Sequence, residues 1–313
     1  MGSVIRSLHH LTATVNEAQA DLDFYVRLLG LRLVKKTVNF DNPLVFHFYY
    51  GNEQGTPGTI MTTFPYQGYG VPTGRIGAGQ VTVTSFSVPP DSLPVWRKRL
   101  AEHGVATKAE GIRFEEPFLA FDDPSGLAIE LIGTPDGRTP WTGGLVDPAV
   151  AIRGIHSVTL SIGNPARTLD LLQGPLGFAP LATEGVRHRM SVGSGGAGHL
   201  IDVVETPSLP TGLNGIGTVH HVALAIGTAE EQLAIREELV QVGVHVTEVR
   251  DRQYFTSIYF REPGGVLYEI ATLPPGFTID EPLDELGQAL KLPPWEEPHR
   301  GLIEKGLPPI VHP

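Results

Sequence analysis

The amino-acid sequence predicts an α+β protein: four βαβββ modules forming two tandem domains, with curved mixed sheets around a cup. Three observations predict it. A strand, an amphipathic helix and several further strands recur four times along the 313 residues. Each helix is followed by a glycine, the residue suited to the left-handed position that closes a helix. The two halves are displaced by a nearly constant interval, 147 positions from His9 to His156 and 139 from Glu130 to Glu269.

The first module opens on the strand LHHLTATV and continues through the helix EAQADLDFYVRLLG to the strands LRLVKKTV, VFHFYYG and GTIMTTF. Its helix places Leu22, Tyr25, Leu28 and Leu29 on one face, the spacing of a helix that covers a sheet. The second module reads QVTVTSFSV, helix SLPVWRKRLAEHG, then FLAFDDPSGLAIELIG. The third reads GIHSVTLSIG, helix PARTLDLLQGPLG, then VRHRMSVG and GHLIDVVE. The fourth reads TVHHVALAIG, helix AEEQLAIREELVQVG, then VHVTEV, FTSIYFRE and GGVLYEIATL. A stretch bearing Pro and Gly, residues 134–150, reads as the linker between an N-terminal domain (1–140) and a C-terminal domain (150–276). Residues 277–313 belong to no module. They are expected to form a tail packed over the body, or a contact between copies in a homo-oligomer.

Composition narrows the chemistry. No apolar run approaches the roughly 18 residues that cross a bilayer, so no membrane partner is expected. The opening MGSVIRSLHH lacks the apolar core of an export signal, and cytoplasmic residence is the expectation. Cysteine is absent, which removes disulfides and thiolate metal sites and leaves imidazole and carboxylate as the strong ligands. A formal net charge of -11 argues against a basic nucleic-acid surface, so the expected partner is a small molecule.

Two phrases, SLHHLTATV at 7–15 and GTVHHVALAIG at 217–227, double a histidine at the head of an apolar strand. Regular alternation would let only one imidazole of each pair face a given cavity. Aligned at their openings, the modules put His9, His156 and His220 in one column, and His10, Ser157 and His221 in the next. Aligned at their closing strands, they put Glu269, Glu130 and Thr63 in a third column, with Asp202 joining loosely. If the first and fourth modules share a cup, its slots hold His10, Thr63, His221 and Glu269. Pairing the second and third gives Glu130, Asp202 and Ser157, a cup without histidine that reads as metal-free; pairing the third with the fourth gives a poorer site with one imidazole. Two imidazoles and one carboxylate with positions left open form the ligand set of non-haem Fe(II) oxygenases, although Mn(II) or Zn(II) would also bind it.

The four modules, the module-opening histidines and the phrase GGVLYE resemble the vicinal oxygen chelate (glyoxalase/bleomycin resistance/extradiol dioxygenase) superfamily. Within it, SLHHLT, GTPGTIMTTFP and DRQYFTSIYFREPGGVLYE are similar to the hydroquinone ring-cleaving dioxygenases along most of the chain. The resemblance implies an Fe(II) centre held by His10, His221 and Glu269, with His9, Arg252 and Tyr259 as catalytic neighbours. It also implies a small aromatic substrate and O2. In that role His9 would take a phenolic proton, Arg252 would stabilise charge developing on oxygen, and Tyr259 would hydrogen-bond to substrate or oxygen.

Plainer readings stand beside these. His9 would be a structural partner on the strand's other face, and His220 would help hold the strand or orient a ligand. Arg252 would pair with Asp251 or Glu248, Tyr259 would be a core aromatic, and His47, His188 and His199 read as ordinary strand histidines. Two other functions fit the same fold: a glyoxalase-type metal-dependent lyase or transferase, which Thr63 in the fourth slot disfavours, and a metal-free binding protein, which would leave the two histidines and the glutamate unexplained.

Overall fold

A computed structural model describes residues 4–312. The first module contributes β1 (Ile5–Val15), α1 (Ala18–Leu22), β2 (Arg32–Asn39), β3 (Asn42–Gly51) and β4 (Ile60–Pro65), with α1 running on into a π-helical segment, Asp23–Leu28. The second has β5 (Gln80–Val88), α2 (Leu93–Glu102), β6 (Ala109–Arg113), β7 (Glu116–Asp122) and β8 (Ala128–Gly133). The third has β9 (Gly154–Ile162), α3 (Ala166–Gln173), β10 (Ala179–Glu184), β11 (Arg187–Ser191) and β12 (Leu200–Glu205). The fourth has β13 (Thr218–Ile226), α4 (Ala229–Gln241), β14 (Arg250–Asp251), β15 (Thr256–Arg261) and β16 (Leu267–Thr272). No helix among the described residues is long and apolar enough to cross a membrane.

The modules pair first with fourth and second with third. One eight-stranded sheet runs β14-β15-β16-β13-β1-β4-β3-β2, the other β10-β11-β12-β9-β5-β8-β7-β6. In each, the opening strands of two modules lie antiparallel at the centre, and each opening strand pairs in parallel with its own module's closing strand. Opening and closing strands therefore sit side by side at the bottom of each curved sheet, which is why residues from both converge there.

Helices cover the outer faces as the apolar spacing requires: Leu22, Tyr25, Leu28 and Leu29 are all buried. α4 begins at a capping box in which Thr228 and Glu231 each satisfy the other's backbone N–H. Gly30 closes the first helix at φ +73, and a side chain there would collide with Val146 of the 134–150 stretch. That stretch is firmly tied. The Arg138 guanidinium donates to the carbonyls of Gly58 and Ile155 and to Ser87, joining three modules at one point.

Two outer strands, β6 and β10, were not anticipated as separate elements. Both are edge strands with almost every residue exposed, so neither carries a buried-face alternation to read. The expected strand VHVTEV is reduced to the short β14 beyond it and a single bridge from Val246 to Phe260. The tail packs over the first sheet. Fully buried Lys35 on β2 bonds Asp280 at 2.6 Å and also Glu281, Arg32 donates to the Leu283 carbonyl, and Phe277 packs on Tyr49 and Tyr254.

Candidate metal centre

The centre is built on irregular strands. Along the β1–β13 ladder the register shifts between Leu8 and His10, leaving His9 unpaired, and shifts again so that Thr12 faces His221 while Ala13 faces Val219, leaving His220 unpaired. The β5–β9 ladder does the same at Thr82 and His156. Each opening strand therefore bulges at its first column, and a bulge breaks the alternation of faces. The expectation that a doubled histidine sends its rings to opposite faces is corrected by this. His9 and His10 meet through Nδ1 atoms 2.9 Å apart, His220 and His221 through Nδ1 atoms 2.8 Å apart, and both His220 and His221 line one cavity.

His10, His221 and Glu269 come together at the cavity floor, each almost wholly buried. His10 Nε2 lies 3.3 Å from His221 Nε2 and 3.4 Å from Glu269 Oε2, and His221 Nε2 lies 2.8 Å from the same oxygen. The other carboxylate oxygen accepts a hydrogen bond from Ser257. Burial alone would raise the Glu269 pKa, but His10 and His221 outweigh it and hold the carboxyl well below its usual range. Burial also pushes the His221 imidazole down toward its neutral form, against the pull of Glu269. A neutral imidazole with Nε2 turned inward and a buried, ionised carboxylate are in the protonation states that bind a divalent metal.

The second cup supplies the contrast. There Glu130 is gripped by Arg113 at 2.9 and 3.1 Å, and Asp202 by Arg187 and Arg189 at 2.8–3.1 Å. Guanidinium groups compensate those carboxylates, whereas Glu269 meets Ser257 and imidazoles, so its charge would suit a metal cation. The donor set of the first cup thus fits a metal on its chemistry.

The register also corrects the fourth slot. Glu269 pairs with Ala223, Asp202 with Thr159 and Glu130 with Ser85, each two residues beyond, or symmetry-related to, the ligand column; in the first module that place is Thr12, whose partner is Thr62. Thr62 bonds Thr12 at 2.8 Å and His47 at 2.9 Å on the cup side. Thr63 points the other way, to Asp21 on the helix beneath, at 2.5 Å. A slip of one residue changes the face of the sheet. Threonine still occupies the slot, so three candidate ligands, His10, His221 and Glu269, remain.

Around the floor is a cavity of about 230 Å³, lined by aromatic groups from both modules and by Arg252 and Tyr259. Arg252 sits on the tight turn after β14, where Gln253 takes φ +63; its Nε donates to Tyr259 Oη at 3.0 Å and its Nη2 to Asp41 at 3.1 Å. Its carboxylate partner is therefore Asp41 of the β2–β3 turn, not Asp251 or Glu248. Burial pushes the Tyr259 phenol up and keeps it protonated, with Glu269 adding to the shift. His9 is not on the cavity wall. It lies against His10 and Phe255, and burial with His10 nearby pulls its pKa down to about 3. His156 holds Ser157 through Nδ1 at 2.9 Å in the same way, so this column supports its neighbour even where that neighbour is not a ligand.

The walls also hold residues the sequence did not single out: Asn39, Phe40, Asp41, Tyr49, Phe64, Tyr66 and Phe255, together with His47, which had read as an ordinary strand histidine. The available signal was parity: once β3 and β4 are registered, with Tyr49 opposite Thr62, His47 and Tyr49 share the cup face with Thr62 and Phe64. His188 and His199 instead meet Thr183 and Ser194, away from this cavity.

Comparison with known proteins agrees with this architecture. The model of the Glyoxalase/Bleomycin resistance protein/Dioxygenase superfamily matches residues 7–131 and 154–270. The chain is 46% identical over 314 residues to MhqO of Bacillus subtilis (strain 168), assigned by name as a ring-cleaving dioxygenase, covering 99% of this chain and 98% of that one. It is 36% identical to the chlorohydroquinone/hydroquinone 1,2-dioxygenase of Sphingobium indicum, covering 94% and 93%. A crystal structure from Bacillus subtilis subsp. subtilis str. 168 superposes with a TM-score of 0.95 at 44% identity, covering 100% of this chain and 99% of that one. Glyoxalase I from Zea mays, at 15% identity and a TM-score of 0.63 over 85% of this chain and 92% of its own, shares the fold. The chain thus belongs to the Glyoxalase/Bleomycin resistance protein/Dioxygenase superfamily.

Proposed function

We propose that this chain is an Fe(II)-dependent ring-cleaving dioxygenase acting on a hydroquinone or related phenol. One observation carries the reading: two imidazoles and one ionised carboxylate converge, with a threonine in the fourth slot, at the floor of a small aromatic cavity. The names of the relatives that match over nearly the whole chain support it. His10, His221 and Glu269 would hold the metal, which when bound supplies the one-electron chemistry that lets O2 react with an aromatic ring. The net change puts both atoms of O2 into the product and breaks one ring carbon–carbon bond.

The chain's own groups have separable tasks in this reading. Phe40, Tyr49, Phe64 and Phe255 enclose one aromatic ring, in a volume below the roughly 300–1,000 Å³ of sites for drug-sized ligands. Arg252, fixed by Tyr259 and Asp41, brings a permanent positive charge to the wall where negative charge develops on oxygen. His47, which burial keeps neutral, is the wall imidazole placed to accept a phenolic proton, while His220 is committed to His221. His9 is assigned to holding His10, which leaves Nε2 of His10 free for the metal.

Anaerobic loading with Fe(II) followed by oxygen-electrode assays on hydroquinones and catechols tests the proposal. Uptake of one O2 per ring opened is expected. No uptake with any member of the panel sinks it.

A further inference from the structure

Along β4 and just beyond it, Thr62, Phe64 and Tyr66 alternate onto the cup face. They run from the floor, where Thr62 is wholly buried, to the mouth, where Tyr66 is only half-buried beside exposed Asp41. The orientation of the Tyr66 hydroxyl follows from its neighbours. The Asp41 backbone N–H, which can only donate, meets Asn39 Oδ1 at 2.9 Å and so fixes which end of that amide is oxygen. Asn39 Nδ2 must then be the group 3.0 Å from Tyr66 Oη, and it can only donate. Tyr66 Oη is therefore the acceptor, and its own proton is directed to some other group. Burial pushes the Tyr66 phenol up, so that proton is retained through neutral pH.

We propose that Tyr66 is a specificity-determining hydrogen-bond donor: it gives its proton to an oxygen on the substrate ring remote from the metal-binding histidines, and so favours rings with a second oxygen across from the first. This rests on the dioxygenase reading and deepens it. A ring whose first oxygen lies at the floor, near His10 and His221, projects a para oxygen toward the mouth, where Asn39 and Tyr66 stand. A catechol holds both oxygens at the floor end and leaves the Tyr66 proton without a substrate acceptor. Asn39 is the positioning residue, since without its amide the hydroxyl is free to turn.

The test compares wild type, Tyr66→Phe and Asn39→Ala on hydroquinone and catechol, in steady-state turnover and in anaerobic equilibrium binding followed by ring absorbance. Loss of one neutral hydrogen bond, worth about 0.5–1.5 kcal/mol, corresponds to a roughly 2–13-fold loss. Tyr66→Phe is expected to lose about that factor for hydroquinone in both kcat/KM and affinity, with catechol unchanged and Asn39→Ala showing a smaller loss of the same selectivity. Equal losses for the two substrates, or no loss for either, overturn the assignment. The binding arm needs no turnover, so wild type that binds hydroquinone selectively but consumes no O2 would defeat the dioxygenase reading while still deciding the role of Tyr66.

Discussion

His220 Nδ1 and His221 Nδ1 lie 2.8 Å apart, a contact between adjacent side chains that a regular strand does not allow. The bulge at His220 makes it, and the bulge at His9 makes its counterpart to His10. With a metal on Nε2 of His221, the ring proton would sit on Nδ1 and be donated to His220. In the proposed function the doubled histidine supplies one ligand position and one group that fixes its tautomer and angle.

Removing that support should weaken the metal without abolishing it. His220→Ala and His9→Ala are each expected to lower Fe(II) affinity about 10–100-fold, the usual cost of losing a partner behind a ligand. Competition with a fluorescent chelator measures it. Affinities equal to wild type in both variants would show that the paired Nδ1 contacts do not orient the ligands.

Loss of a ligand itself should be more severe. His10→Ala, His221→Ala and Glu269→Gln are each expected to leave the protein without stoichiometric metal after desalting, as read by elemental analysis, and without O2 uptake. Circular dichroism should show each variant folded. Full metal occupancy in any one of them removes that residue from the ligand set.

The convergence of His10, His221 and Glu269 was legible because ligand positions recur in a duplicated fold and can be compared column by column. The bulges were not, since an extra residue in a ladder is a fact about two backbones and leaves no mark on one apolar strand. The slip from Thr62 to Thr63 had the same origin: both are threonines, and only pairing with β1 separates the cup face from the helix face. The wall residues Asn39, Asp41, His47 and Tyr66 were missed because a cavity wall is assembled from strands of known identity and unknown register. Strands β6 and β10 were missed because exposed edges have no buried side to impose a period.

The tail depends on a buried cation. Lys35 is wholly inaccessible and bonded to Asp280 and Glu281, so Lys35→Met leaves the buried Glu281 without its compensating cation, with only the backbone N–H groups of Gly287 and Ala289 near it. Breaking a buried pair in this way costs about 3–5 kcal/mol, and a clear drop in thermal midpoint is expected. Limited proteolysis should cut first within residues 277–290. A variant as stable and as resistant as wild type would mean that the other contacts, Arg32 to the Leu283 carbonyl and the packing of Phe277 among them, suffice to hold the tail.

Beneath the sheet, Asp21 gives a pH dependence with a definite sign. Burial raises its pKa to about 8, although Thr63 and Tyr50 bond to it and pull the other way. An unfolded Asp titrates near about 3.9, so between about pH 4 and pH 8 the folded chain holds a proton that the unfolded chain has released. Stability from this group is fully present below that window and is lost as pH rises through it. Asp21→Asn keeps an acceptor for Tyr50 and Thr63 and cannot ionise. Its thermal midpoint relative to wild type should therefore climb from pH 5 to pH 9, whatever the constant offset of the substitution. A flat difference would mean that Asp21 is ionised in the folded protein.

The fourth slot separates two chemistries within one fold. Thr62 occupies the place that Glu269 holds in the fourth module, and its hydroxyl faces Thr12 and His47 on the cup side. A carboxylate there would give the metal a second anionic ligand and take up a position that O2 or substrate needs. Thr62→Glu is expected to bind divalent metal at least as tightly as wild type while losing ring cleavage by 100-fold or more. Thr63→Glu, one residue along, would instead press a second carboxylate against buried Asp21 on the opposite face and should be strongly destabilised. Elemental analysis, O2 uptake and thermal melts on the two variants read all three quantities. If Thr63→Glu rather than Thr62→Glu alters the metal centre, the register drawn between β1 and β4 is wrong.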